Sequence, residues 1–187
     1  MFSNNTSLTV LAVAVLGIAM MPPARADSAE RNIAKAASGS GNLAYLALGS
    51  LLPLATDGRY GTNHTMRVVD SALTSTLITE GLKAITREKR PDSNEHDSFP
   101  SGHATAAFAV ATAQSALHPN QAIYWYAGAS LISWSRIRLN RHHPQDVVAG
   151  AVIGIGVTRE EFSEHHGLIL QPWIHDDKPG VMIERSF

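Results

Sequence analysis

The sequence predicts an all-α fold, a single-domain helical bundle. Apolar residues recur at helical spacing from Val68 to Ile85. The stretch from His103 to Leu117 is alanine-rich and strongly helix-favouring. No segment carries convincing strand character, and a length of 187 residues suits one domain.

Taken in order, a first apolar helix is expected over Asn42 to Leu52, followed by a turn signal at Thr56-Asp57-Gly58-Arg59. Val68, Leu73, Leu77, Leu82 and Ile85 describe an amphipathic helix ending near Lys83 to Thr86. Residues 87–99 are polar and read as a loop, with Pro91 disfavouring helix just before it. The next helix, His103 to Leu117, has side chains small enough for close packing. Gln121 to Leu139 is a further apolar helix, and Pro144 suits the first turn of one running to Thr158. Beyond Glu160 polarity is mixed, with Gly167, Pro172, Pro179 and Gly180, and no element is assigned.

The N-terminus speaks to the compartment. Leu8 to Met21 is a short apolar run, followed by Pro22-Pro23 and the small-x-small site Ala24-Arg25-Ala26. This is the pattern of a secretory signal peptide, residues 1–26, cleaved after Ala26. The domain is then residues 27–187, in the bacterial periplasm or outside the cell. Residues 1–7 contain no Lys or Arg, which keeps an uncleaved membrane anchor as the alternative. No later segment is a clean apolar run of about 20 residues. Leu43 to Ala55 is broken by Pro53, Ile123 to Ile137 ends in Ser-Arg, and Val147 to Val157 is short and glycine-rich. These read as core helices, with contact to a membrane surface left open.

Net charge is −1 and charged residues are 17% of the chain, so nothing globally basic points to nucleic acid, and any anion site must be local. The chain has no cysteine, which excludes disulfides, thiolate catalysis and Cys-type zinc sites. Among nine histidines, Glu164-His165-His166 and His175-Asp176-Asp177 could ligate zinc, but HExxH is absent and an exposed polar tail is the simpler reading. No metal and no cofactor are expected. The sequence is silent on oligomeric state.

Three clusters carry the chemistry. Lys83 stands ahead of Arg90-Pro91; Pro100-Ser101-Gly102-His103 opens the alanine-rich helix; Ser135-Arg136 is followed by His142 and Asp146. A phosphomonoester near neutral pH carries roughly two negative charges and needs fixed cations and N–H donors. Lys83, Arg90 and Arg136 supply cations, two of them with the guanidinium fork that matches phosphate oxygens. Ser101 and Gly102 place backbone amides at a helix N-terminus, and Gly102 allows close approach. With Pro144 starting a helix, His142 and Asp146 are i and i+4 and can meet on one face.

Together these clusters resemble the signature K-x6-RP, PSGH, SR-x5-H-x3-D of the type 2 phosphatidic acid phosphatase and vanadium haloperoxidase superfamily, over about Lys83 to Gly154. The resemblance implies an all-α phosphatase domain and a metal-independent reaction through a phosphohistidine. It implies His142 as nucleophile rather than His143, Asp146 as the carboxylate that accepts a proton from its ring, and His103 as general acid. Lys83, Arg90, Ser101, Gly102 and Arg136 are the implied phosphate ligands. The carry-over stops at those positions. Arg87 and Lys89 read as solvated charges, and His96, Arg138, Arg141 and His143 as either mouth or surface residues.

Around the second cluster, secreted class A acid phosphatases typically read G-S-Y-P-S-G-H-T. This chain has Asp97-Ser98-Phe99-Pro100-Ser101-Gly102-His103-Ala104, closer to the lipid-phosphatase branch. The implied substrate is a lipid phosphate or pyrophosphate, with a soluble phosphate ester second. The rivals are a vanadate-dependent haloperoxidase, whose relatives are much longer, and a non-catalytic binding protein on the same scaffold.

Overall fold

The computed structural model describes residues 28–163, together with the backbone of residues 170–175 and 178–183. The segment expected to be a signal peptide lies outside the described residues. So do the side chains of the two His-acidic groups in the tail.

Helix α1 (Ser28–Ala36) runs into a kinked turn, Ala37–Gly41, where Gly39 leaves helical geometry at φ −97°, ψ −108°. Helix α2 (Asn42–Thr56) carries Pro53 and extends beyond the expected end. Gly58, at φ +56°, makes the turn read from Thr56-Asp57-Gly58-Arg59, a left-handed conformation open to glycine. Then come α3 (Gly61–Thr86), α4 (Gly102–Leu117), α5 (Ala122–Arg138) and α6 (Pro144–Ser163). The structure differs from the expected absence of strands. Leu170–His175 (β1) and Lys178–Ile183 (β2) pair antiparallel, with His175 opposite Lys178. Pro172, Pro179 and Gly180 mask that pairing in the sequence, because proline and glycine are depleted in strands. The class remains all-α, with this hairpin as an appendage.

Helix α4 is the axis. Its Ala104, Ala107, Phe108 and Ala111 pack on Tyr126, Ala129 and Ile132 of α5 and on Val147, Ala151 and Ile155 of α6. The α4–α6 seam brings backbone against backbone. A Cβ on Gly150 would lie 2.5 Å from the Ser101 carbonyl oxygen, and one on Gly154 2.3 Å from that of Thr105. Only glycine fits there.

Val68 is buried as its pattern implies, but C-terminal to it the face that α3 buries is the reverse of the expected one. Asp70, Ser71, Ser75 and Thr79 are fully buried, whereas Leu73, Leu77 and Ile85 are 49%, 62% and 79% exposed. The reason is space and hydrogen bonding. Alanine-rich α4 leaves room only for small neighbours. Ser71 and Ser75 satisfy their hydroxyls on the carbonyls of Arg67 (2.8 Å) and Ser71 (2.6 Å), while Thr79 bonds Thr105 Oγ1 at 2.9 Å. Among the described residues, no helix is long and apolar enough to cross a membrane.

Candidate active site

Four helix ends and one loop meet at one end of the bundle. Helix α3 stops because Arg87 adopts the left-handed conformation (φ 47°), its amide capping the Lys83 carbonyl at 3.0 Å. Lys83 is therefore delivered on the last turn. The loop that follows is tied down by Ser98 N–H to the Glu88 carbonyl and Thr86 Oγ1 to the Phe99 carbonyl. Helix α5 ends the same way: Asn140, a residue that tolerates φ +58°, turns the chain, and the Arg141 amide caps the Arg136 carbonyl at 2.9 Å. Two residues later comes His142, immediately before α6.

His142 is buried, and its Nδ1 lies 2.8 Å from the Ser98 carbonyl oxygen. A carbonyl only accepts, so the ring proton sits on Nδ1 and Nε2 carries the free lone pair. Asp146 Oδ2 is the second neighbour of Nδ1, at 3.5 Å. The expected carboxylate–histidine contact is thus present as the longer partner. Asp146 is fully buried, and its Oδ2 accepts from Ser98 Oγ (2.5 Å) and the His143 amide (2.9 Å). Burial would raise its pKa, but the hydrogen bonds from His142, Ser98 and His143 prevail and hold it below the usual carboxylate value. Asp146 Oδ1 makes no hydrogen bond within the protein.

His103 stands on the first turn of α4. Its pKa is pushed down to about 4, first by burial and then by the positive fields of Arg136 and His142; Lys83 adds a smaller push, and a hydrogen bond to the Ser38 backbone opposes them. Arg136 is pushed down to about 10 by burial and by the fields of Arg90 and Arg141. These mutual effects place Lys83, Arg90, Arg136, His103 and His142 around one cationic space. Arg136 Nε is buried without a hydrogen-bond partner. An orphaned buried donor on a guanidinium is what an anion oxygen would satisfy.

Other implied ligands are partly engaged. Arg90 holds Asp97 through two bonds of 2.6 and 2.8 Å, which keeps the Asp97 carboxyl below its usual value. Lys83 Nζ sits 2.9 Å from Glu80 Oε1 and lies beside Gly102, 3.5 Å from where a Cβ would be. One expectation is corrected. The Ser101 amide is not open to an anion, because it donates to the Asp146 carbonyl at 2.9 Å. The α4–α6 seam brings those two backbones together. The amides without intrahelical acceptors begin at Gly102. Ser101 Oγ is buried without a partner.

Of the residues left outside the signature, Arg138 pairs with Glu30 of α1, Arg141 with Asp92, and His96 with the Arg87 carbonyl. His143 Nδ1 lies 3.4 Å from Asp146 Oδ2 and 3.5 Å from Glu88 Oε1. Among the described residues, Glu88, His143 and Asp146 form a group whose ligand atoms could share a cation. Sequence reasoning overlooked Ser98, although it sits inside the serine-proline string, and Ser38, for which no motif exists.

Residues 82–164 match the PAP2 superfamily. The chain is similar to the lipid A 1-phosphatase of Porphyromonas gingivalis, 38% identical over 88 residues, which is 45% of this chain and 20% of that protein. It is also similar to the lipid A 1-phosphatase of Rhizobium etli, 36% identical over 58 residues, or 31% of this chain and 25% of that one. The chain therefore spans a quarter or less of the length of these matched relatives. The crystal structure of Aquifex aeolicus LpxE superposes with a TM-score of 0.58 at 22% identity, covering 87% of this chain and 97% of that one. It shares the all-α fold.

Proposed function

We propose, from the match of residues 82–164 to the PAP2 superfamily, that the chain is a metal-independent lipid phosphatase working through a phosphohistidine. The observation that carries this is the Nδ1 of His142 on the Ser98 carbonyl, which commits the Nε2 lone pair to attack. Arg136, Lys83, Arg90 and the Gly102 amide then hold the phosphate oxygens, and their charge matches the equatorial oxygens of the five-coordinate transition state. Arg90 is paired with Asp97 and Lys83 with Glu80. Substrate has to compete with those carboxylates. His103 protonates the departing oxygen and afterwards takes a proton from the water that hydrolyses the phosphohistidine.

The substrate class follows from two supports. The matched relatives are lipid A 1-phosphatases, which makes a phosphorylated glycolipid the first candidate. Leu73, Leu77, Ile78 and Ile85 are exposed on α3. With Leu43, Leu48, Leu51 and Leu54 exposed on α2, they give the chain apolar surface for contact with acyl chains or a membrane. Export through residues 1–26 would place the domain on the same side as such lipids.

The test is phosphate release by the purified chain from lipid A, phosphatidic acid, a prenyl pyrophosphate and p-nitrophenyl phosphate. The lipid substrates should be preferred. Vanadate, which takes the same trigonal bipyramid on a histidine nitrogen, should inhibit far more tightly than phosphate. Equal, weak inhibition by the two anions would contradict the mechanism.

A further inference from the structure

The N-terminal segment reaches into the site from outside the matched region. Ser38 lies on the kinked turn Ala37–Gly41, forty-odd residues before Lys83. Its hydroxyl accepts a hydrogen bond from Arg136 Nη1, and its backbone lies beside the His103 ring. Two residues on from Arg136, Arg138 pairs with Glu30 of α1. The last turn of α5 is thus gripped twice by the same segment. Arg136 is left with one guanidinium N–H engaged by Ser38 and its buried Nε unpartnered.

In-line displacement puts the leaving oxygen opposite the attacking nitrogen. On the phosphatase reading, from which this inference follows, that is the side of His103. The chain element in contact with His103 there is the turn bearing Ser38. Gly39 and Ser40 are exposed, and a Cβ on Gly39 would meet nothing within 4 Å.

We propose that Ser38 is a positioning residue that aims Arg136 at phosphate, and that the Ala37–Gly41 turn forms the wall against which the leaving alcohol lies. The wall determines specificity because it is the part of the site nearest the departing group and lies outside the residues shared with the superfamily.

Three variants of the full chain test this. Ser38→Ala removes the hydroxyl and leaves the backbone beside His103 in place. It should weaken vanadate inhibition and lower kcat/KM about tenfold, the scale of one charge-assisted hydrogen bond. The melting temperature should stay within a few degrees of wild type, and Ser38→Thr should restore both readouts. Gly39→Leu fills the open side of the turn. It should lower kcat/KM for a lipid phosphate about tenfold relative to p-nitrophenyl phosphate, a discrimination on the scale of an apolar side chain in a pocket. Unchanged vanadate affinity in Ser38→Ala, or an unchanged substrate ratio in Gly39→Leu, overturns the proposal while wild-type turnover leaves the phosphatase reading intact. A wild-type chain that hydrolyses neither ester overturns both.

Discussion

The Nδ1 of His142 is 2.8 Å from the carbonyl oxygen of Ser98 and 3.5 Å from the carboxylate of Asp146. The ring is oriented by main chain first and by charge second. Ser98 also donates its hydroxyl to Asp146, so one residue sets the direction of both members of the pair.

That order of partners predicts a graded response. His142→Ala should abolish turnover and any acid-labile phosphoenzyme. Asp146→Asn should keep a residue of activity, with a loss on the order of 10²-fold in kcat, because the Ser98 carbonyl still fixes the tautomer that a carboxylate would otherwise have to select. His143→Ala should retain most activity. Steady-state kinetics on the three variants decide it, and an Asp146→Asn variant as dead as His142→Ala would place the orienting role on the carboxylate alone.

His103 gives a pH signature. Its pKa is about 4, below the ordinary value of about 6.5 for histidine. It is therefore neutral at pH 6 to 7, and a bound phosphate dianion, by offsetting Arg136 and Lys83, raises its pKa. Phosphate or vanadate binding should take up protons, visible by calorimetry in buffers of different ionisation enthalpy; His103→Ala should reduce that uptake. For the folded protein the sign is the depressed-histidine one. The unfolded chain protonates first as pH falls from about 6.5 toward 4, so stability declines across that window. A wild-type stability curve that rises on acidification there would contradict the assignment.

The reversed face of α3 predicts an unusual pair of stability effects. Ser75→Leu adds bulk where α4 has no room and should cost roughly 1–3 kcal/mol. Leu77→Ser, on the exposed side, should change unfolding free energy by less than about 0.5 kcal/mol while reducing binding to lipid vesicles. Denaturant titration and vesicle co-sedimentation check the two halves separately.

Chelation addresses the Glu88, His143 and Asp146 group. The proposed chemistry uses protein cations throughout, so activity should survive excess EDTA. Loss of activity on chelation, restored by a divalent ion and removed again in Glu88→Gln, would move the mechanism onto that trio.

Much of this was legible in the sequence. Helix positions from Asn42 onward follow from apolar runs and from Pro144, with α2 and α6 running longer than expected and α3 starting earlier, at Gly61, whereas α1 (Ser28–Ala36), polar and short, is not foreseen at all. Which side of α3 faces inward is not legible from its own pattern, because Val68, Leu73, Leu77 and Ile85 have the same period whether they meet a core or a lipid. Only the neighbouring alanine-rich helix decides it. The signature residues arrive in one space, but the engagement of the Ser101 amide by Asp146 depends on two distant glycines. Ser38 acts through its place on a kink, and no local spacing announces that.

The glycines at 150 and 154 carry a consequence for anyone mapping this protein by random mutagenesis. Neither is proposed to touch phosphate, yet a methyl group at Gly150 would collide with the Ser101 carbonyl and displace Asp146 from the start of α4. Such a lesion would score as catalytic death in a folded, soluble product. A loss-of-function map would then draw the active site one helical turn too deep, and only a binding measurement with phosphate would separate a misaligned scaffold from a missing reagent.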